Sequence, residues 1–209
     1  MSALSQLAHL QGRRDEIPNQ ALARDLATRR DKHGVKEIAE NVWHKDKHIQ
    51  ADCIKVLYEV GYLKPELIAP YDAEFIKLLA NRNNRLVCGA MIALATIAEL
   101  RAKEISAHTD KILAAMKTGS VITVDNGVKA LARVAATSDA RNKKIFPYLI
   151  EHLQTCRPKE IAQHAESTLP AVNAKNKQQF VDALNERAHA LTPAQAARIK
   201  KVIKAAEKK

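Results

Sequence analysis

One phrase recurs along this chain and limits what it can fold into. The stretch "CIKVLYEVG" at residues 53 to 61 returns as "AMIALATIAE" at 90 to 99 and as "VKALARVAAT" at 128 to 137, then more weakly as "ESTLPAVNA" at 166 to 174. The anchoring leucines, Leu57, Leu94, Leu131 and Leu169, stand 37, 37 and 38 residues apart. Val60, Ile97, Val134 and Val172 follow each anchor by one helical turn, and Phe75, Ile112 and Leu149 lie at matching places between the phrases. Each unit thus carries two apolar stripes at helical spacing, joined by polar turns. A period of this length marks stacked helical hairpins, because one hairpin cannot bury its apolar face alone.

The spacing predicts first helices near 35–43, 72–80, 110–117 and 146–154. Second helices are predicted near 48–61, 85–99, 122–137 and 158–172, with further helices near 19–31, 176–190 and 193–207. Composition agrees: the chain has 6 Gly and 7 Pro in 209 residues and is 46% hydrophobic, so an all-α fold with a real core is expected. Local signals place several ends. Thr192, Pro193 and Gln195 read as N-cap, first helical position and capping-box partner, Thr109 as a cap, and Pro158 as a helix start. Pro170 should break the fourth unit's second helix.

The period, the hairpin layout and the Ala-rich second helices in "GAMIALATIA" and "GVKALARVAA" resemble HEAT or armadillo-type helical repeats over residues 34 to 174. The long connections "YLKPELIAPYD" and "TSDARNKKIFP" depart from the usual pattern. The resemblance implies an α-α superhelix, right-handed, of about four to five hairpins whose second helices line a concave wall. Residues 1–33 would then be an N-terminal capping region, 34–174 the repeats and 175–209 a C-terminal helical hairpin cap, all in one continuous domain.

At 100° per residue, four positions per second helix point away from the anchor. They are His48, Asp52, Lys55 and Glu59; Arg85, Gly89, Ile92 and Thr96; Ile122, Asn126, Lys129 and Arg133; Glu160, His164, Ser167 and Ala171. This wall is mixed, with four basic side chains against three acidic, too sparse for a phosphate track. Ile92 and Ile122, with Gly89 beside them, form a small apolar centre rimmed by Arg85, Lys129 and Arg133. Lys55, Arg85, Ile92, Lys129 and Arg133 are therefore the candidate partner-binding residues, for a protein or peptide of acidic, partly apolar character.

The net charge of +11 gathers toward the end: residues 157–209 carry 11 basic and 5 acidic side chains. The last helix, "PAQAARIKKVIKAAEKK", reads as a cap whose apolar stripe packs inward, and alternatively as a nucleic-acid contact through Arg198, Lys201, Lys204 and Lys208. Some HEAT-like proteins are DNA repair glycosylases, so the resemblance adds that enzyme reading. Base excision needs stacking aromatics and a carboxylate, and the single Trp43 reads as a core or turn residue.

His44, His48, Asp52 and Cys53 lie close in sequence, but "HKDKH" reads as a solvated turn, since zinc needs three or four converging ligands. Cys53 and Cys88 read as buried thiols, and "NRNNR" as a capping turn. The sequence contains no glycine-rich phosphate loop, Gly-x-Ser-x-Gly, His-Glu-x-x-His or Cys-x-x-Cys. No cofactor, metal or catalytic residue is expected. Three cysteines, an N-terminus without the secretory pattern and the lack of a long apolar run suggest a cytoplasmic protein that does not span a membrane. The leading expectation is a noncatalytic scaffold that holds its partner on the concave face.

Overall fold

The computed structural model describes residues 2–209; Met1, the first residue of the expected N-terminal cap, lies outside the described residues. Helices account for the regular structure, and no strand occurs among the described residues. Among the described residues, no helix is long and apolar enough to cross a membrane. The chain forms two compact units, one ending at Gly127 and the other running from Val128 to Lys209.

The first unit is built from α1 (Ile17–Arg29), α2 (Lys32–Glu40), α3 (Lys47–Leu63), α4 (Pro65–Ile68), α5 (Asp72–Leu78), α6 (Asn84–Ile97), α7 (Ala102–Ala107) and α8 (Thr109–Thr118). The helix α9 (Val121–Ala136) begins in it. The second helices predicted from the repeat appear as α3, α6 and α9, and their anchors Leu57, Leu94 and Leu131 are at most 1% exposed. α3 packs against α1, α2 and α6, and α5 closes over α6. Complete burial of such leucines stabilises by about 1.5–3 kcal/mol each, which is why the phrase recurs at their spacing.

Two expected connections turn out to be helical. "YLKPELIAPYD" holds α4 and a 3-10 turn (Ala69–Tyr71), because Pro65 stands at a first helical position, where its missing N–H is harmless. α7 likewise fills the next connection, so these units carry a short helix before each hairpin. Thr109 does not cap: its hydroxyl donates to the Ser106 carbonyl at 2.9 Å, and the N-cap of α8 is His108.

The second unit comprises α10 (Asp139–Thr155), α11 (Ile161–Thr168), α12 (Lys177–Glu186) and α13 (Pro193–Glu207). α10 starts seven residues before the predicted first helix, with Ser138 as its cap and Pro147 inside it. Pro147 is exposed, so the interrupted ladder stays wet rather than leaving a buried orphan. Pro158 opens a 3-10 turn leading into α11, and α11 ends at Thr168 in a second such turn that holds Pro170. Leu169 is consequently only half-buried, unlike the other anchors. Asn142 ties this turn to α10 by donating to the Ala171 carbonyl at 2.7 Å. The predicted capping box of Thr192 and Gln195 opens α13, whose Ile199, Val202 and Ala206 are buried where it packs on α11 and α12.

Candidate functional site

The sequence projects its candidate wall from three second helices, and each lysine, arginine and isoleucine on it has a definite place. α3 supplies Lys55. Its ammonium lies 2.8 Å from both Glu16 and Glu59 and 4.9 Å above the Tyr58 ring, with the side chain only 12% exposed. Burial disfavours the charge, but the two carboxylates outweigh it and raise the lysine pKa above its ordinary value. Lys55 is therefore a neutralised packing residue rather than an open rim cation. The projection missed this because α3 is covered on a further side by α1, and Glu16 arrives just before that helix.

α6 supplies Arg85, Gly89 and Ile92. Arg85 lies in the first turn of the helix, its amide donating to the side chain of the N-cap Asn83 at 3.1 Å, as the capping reading of "NRNNR" expects. Its guanidinium is exposed and meets no carboxylate among the described residues. Ile92 is half-buried two turns on. Gly89 is not a wall residue: it is buried, and a Cβ there would meet Ile54 Cγ1 at 2.6 Å. It marks the close approach of α6 to α3.

Along α9, Ile122, Asn126, Lys129 and Arg133 recur at the spacing of one helix face. Ile122 is 52% exposed, with Val121 beside it at 46%. Asn126 is buried and turns its amide back to the Ile122 carbonyl at 2.8 Å. Lys129 is half-buried without an acidic partner among the described residues, and Arg133 is exposed.

The acidic members of the projected wall are engaged locally. Asp52 accepts the His9 amide at 2.8 Å, Glu59 holds Lys55, and Glu160 pairs with Arg157. His164 is fully buried, so it too leaves the wall. With Lys55 and these carboxylates satisfied, Arg85 and Lys129 are the cations of the set that have no acidic partner among the described residues, while Ile122 is exposed and Ile92 half-buried.

The C-terminal candidates divide. Arg198 is held by Glu166 through two bonds, Nε to Oε1 at 2.9 Å and Nη2 to Oε2 at 2.7 Å, which lowers the carboxyl's pKa below its ordinary value. Lys201, Lys204 and Lys208 are exposed. The His44, His48, Asp52, Cys53 group does not converge: His44 Nδ1 accepts the Asp46 amide at 3.0 Å, His48 stacks on His9 and Cys53 is buried, its thiol pKa pushed up by burial. Trp43 is 45% exposed and donates to Glu74 at 2.8 Å. One set of side chains escaped the sequence reading altogether: His152, Cys156 and His164 bring their ligating atoms within 4.8 Å of one another. The only sequence signal was His152 and Cys156 at i, i+4, and a helix places such pairs together without saying what faces them.

No family model matches the chain, and no curated protein is significantly similar to it. Solved structures do match. A designed armadillo repeat protein in complex with the peptide (KR)4 is 14% identical with a TM-score of 0.73, over 99% of this chain and 97% of that one. An engineered protein solved by a structural genomics consortium is 21% identical with a TM-score of 0.70, over 100% and 98%. Another designed armadillo repeat protein is 14% identical with a TM-score of 0.68, over 97% and 99%. These likenesses, with the recurring helices above, define the class: an all-α solenoid of the HEAT/armadillo helical-repeat type.

Proposed function

We propose that this protein is a noncatalytic scaffold that binds an acidic, partly apolar peptide segment of another protein along the outward faces of α6 and α9. The observation that carries the reading is that α6 and α9 each carry a cation without an acidic partner and an isoleucine that is not fully buried. Arg85 and Lys129 have no acidic partner among the described residues, while Ile92 and Ile122 supply apolar area. An extended segment alternating carboxylates with aliphatic side chains matches both features. The designed neighbour in complex with (KR)4 supports peptide capture by this fold, and the cations on the present residues favour an acidic peptide.

Fluorescence anisotropy with labelled (Glu-Leu)4 and (Lys-Arg)4 tests the proposal. The protein is expected to bind the acidic peptide, and Arg85→Glu with Lys129→Glu and Arg133→Glu to weaken it by at least about tenfold, since each lost cation removes on the order of 1 kcal/mol. Equal binding by the charge-reversed protein refutes the assignment.

Exposed Lys201, Lys204 and Lys208 on α13 favour a second reading, nucleic-acid contact at the C-terminal helix. That contact would weaken steeply with salt. Reversing these three charges is the appropriate test, because deleting α13 would also uncover the apolar residues it covers on α11 and α12.

A further inference from the structure

We propose that the second unit carries a zinc-binding site formed by His152, Cys156 and His164. His152 lies on the last turn of α10, Cys156 is the extended residue that ends that helix, and His164 projects from α11. The facing ring nitrogens, His152 Nε2 and His164 Nδ1, are 2.9 Å apart, and one ring nitrogen of each histidine and the Cys156 sulfur lie within 4.8 Å of one another. Zinc–ligand bonds of about 2.0–2.1 Å to nitrogen and 2.3 Å to sulfur put neighbouring donors about 3.3–3.6 Å apart. The nitrogens must open by less than an ångström and the sulfur close by about one. His164 is fixed by complete burial and the backbone of Cys156 is held at the end of α10, so the adjustment falls to the half-buried His152 ring and to rotation of the Cys156 side chain.

Imidazole and thiolate together are a borderline-soft donor set, which selects zinc over magnesium or calcium. The surroundings suit it. Arg187 donates to the carbonyls of Leu153 at 3.0 Å and Cys156 at 2.8 Å and to that of Gln154, fixing the end of α10 and setting a positive charge beside the sulfur. Thr168, one turn beyond His164 on α11, is fully buried, and its hydroxyl has no hydrogen-bond partner. Three protein ligands leave a fourth position on zinc, which a water would take.

A free cysteine thiol is mostly protonated at neutral pH. Binding converts Zn2+ and Cys–SH into a zinc-bound thiolate and one released proton, and both imidazoles bind neutral. The ion staples the end of α10 to α11. The alternative is a direct hydrogen bond between the two imidazoles with a bystander thiol.

Cobalt distinguishes the two. The chelator-treated full-length protein, titrated with Co2+, is expected to take one equivalent with visible d–d absorption and a near-ultraviolet thiolate-to-cobalt band, both abolished by Zn2+. Cys156→Ser should remove the thiolate band, Cys88→Ser should leave it, and His152→Gln should weaken Zn2+ binding at least about 100-fold, since outer-shell losses alone cost 10- to 100-fold. Far-ultraviolet circular dichroism checks that each variant stays folded. Absence of the thiolate band in the unmodified protein, or its survival in Cys156→Ser, overturns the proposal.

Discussion

Gly89→Ala tests the packing of α3 against α6, where two effects of similar size oppose each other. Alanine in a helix interior is favoured over glycine by about 1 kcal/mol, so on propensity alone the variant gains stability. The added Cβ, however, would stand 2.6 Å from Ile54 Cγ1 and 3.1 Å from Cγ2. Ile54 is 2% exposed, and the colliding atoms are its branch carbons rather than the end of a flexible chain. Overpacking of this kind costs about 1–3 kcal/mol, and the rigid neighbour puts the cost at the upper end. The net expectation is a loss of about 1–2 kcal/mol, or a melting temperature lower by about 2–8 °C.

Ile54→Ala alone should cost about 2–5 kcal/mol through the cavity it leaves. In the double variant the new methyl enters that cavity, so the two costs should fall short of additivity by at least about 1 kcal/mol. Urea unfolding followed by fluorescence of Trp43, the single tryptophan, reads the unit that contains both helices. Stabilisation by Gly89→Ala, or strict additivity with Ile54→Ala, would show that the helices are not in this contact.

Lys55→Met keeps the apolar stem but leaves Glu16 and Glu59 without their shared cation; a stability loss of about 1–3 kcal/mol is expected in urea titrations, and a neutral result would return Lys55 to the open rim. Burial works against ionisation of Glu37, but bonds from the Ser2 hydroxyl and the Ala3 amide outweigh it and hold its carboxyl below the ordinary 4.5. The tether to the N-terminal segment is thus intact above that pH and lost as pH falls through the lower folded value. The Ala3 amide resonance should titrate with an apparent pKa below 4.5, and a midpoint at or above it contradicts the contact. Arg30 holds φ of 51° at the C-cap of α1, a strained place for a side chain, so Arg30→Gly should raise stability by about 0.5–1 kcal/mol despite losing the exposed pair with Glu66. Thermal unfolding that shows a loss instead would mean that the arginine side chain outweighs the strain.

The recurring leucines made the hairpins legible because an anchor's burial depends on its own helix face, which the sequence encodes directly. Caps were legible where a side chain bonds to its own turn, as at Thr192 with Gln195, and breaks where Pro170 removes a donor. Thr109 shows the limit: its hydroxyl had a nearer acceptor in Ser106. The short helices α4 and α7 hid inside connections too brief to display a period. The wall was legible only as an arc. Lys55, Gly89 and Asn126 left it through contacts with Glu16, Ile54 and the Ile122 carbonyl, of which only the last was local. His152, Cys156 and His164 converge through the turn between α10 and α11, which periodicity does not fix.

Capture of an acidic, partly apolar segment by the outward residues of α6 and α9 is open to selection by peptide display. Selection of a displayed random-peptide library on the purified protein, with the Arg85→Glu, Lys129→Glu, Arg133→Glu protein as counter-selection, tests it most directly. Segments in which Asp or Glu alternate with Leu, Ile or Val are expected to be enriched, with no such enrichment on the charge-reversed protein. Enrichment of basic sequences, or the same peptides on both proteins, would contradict it.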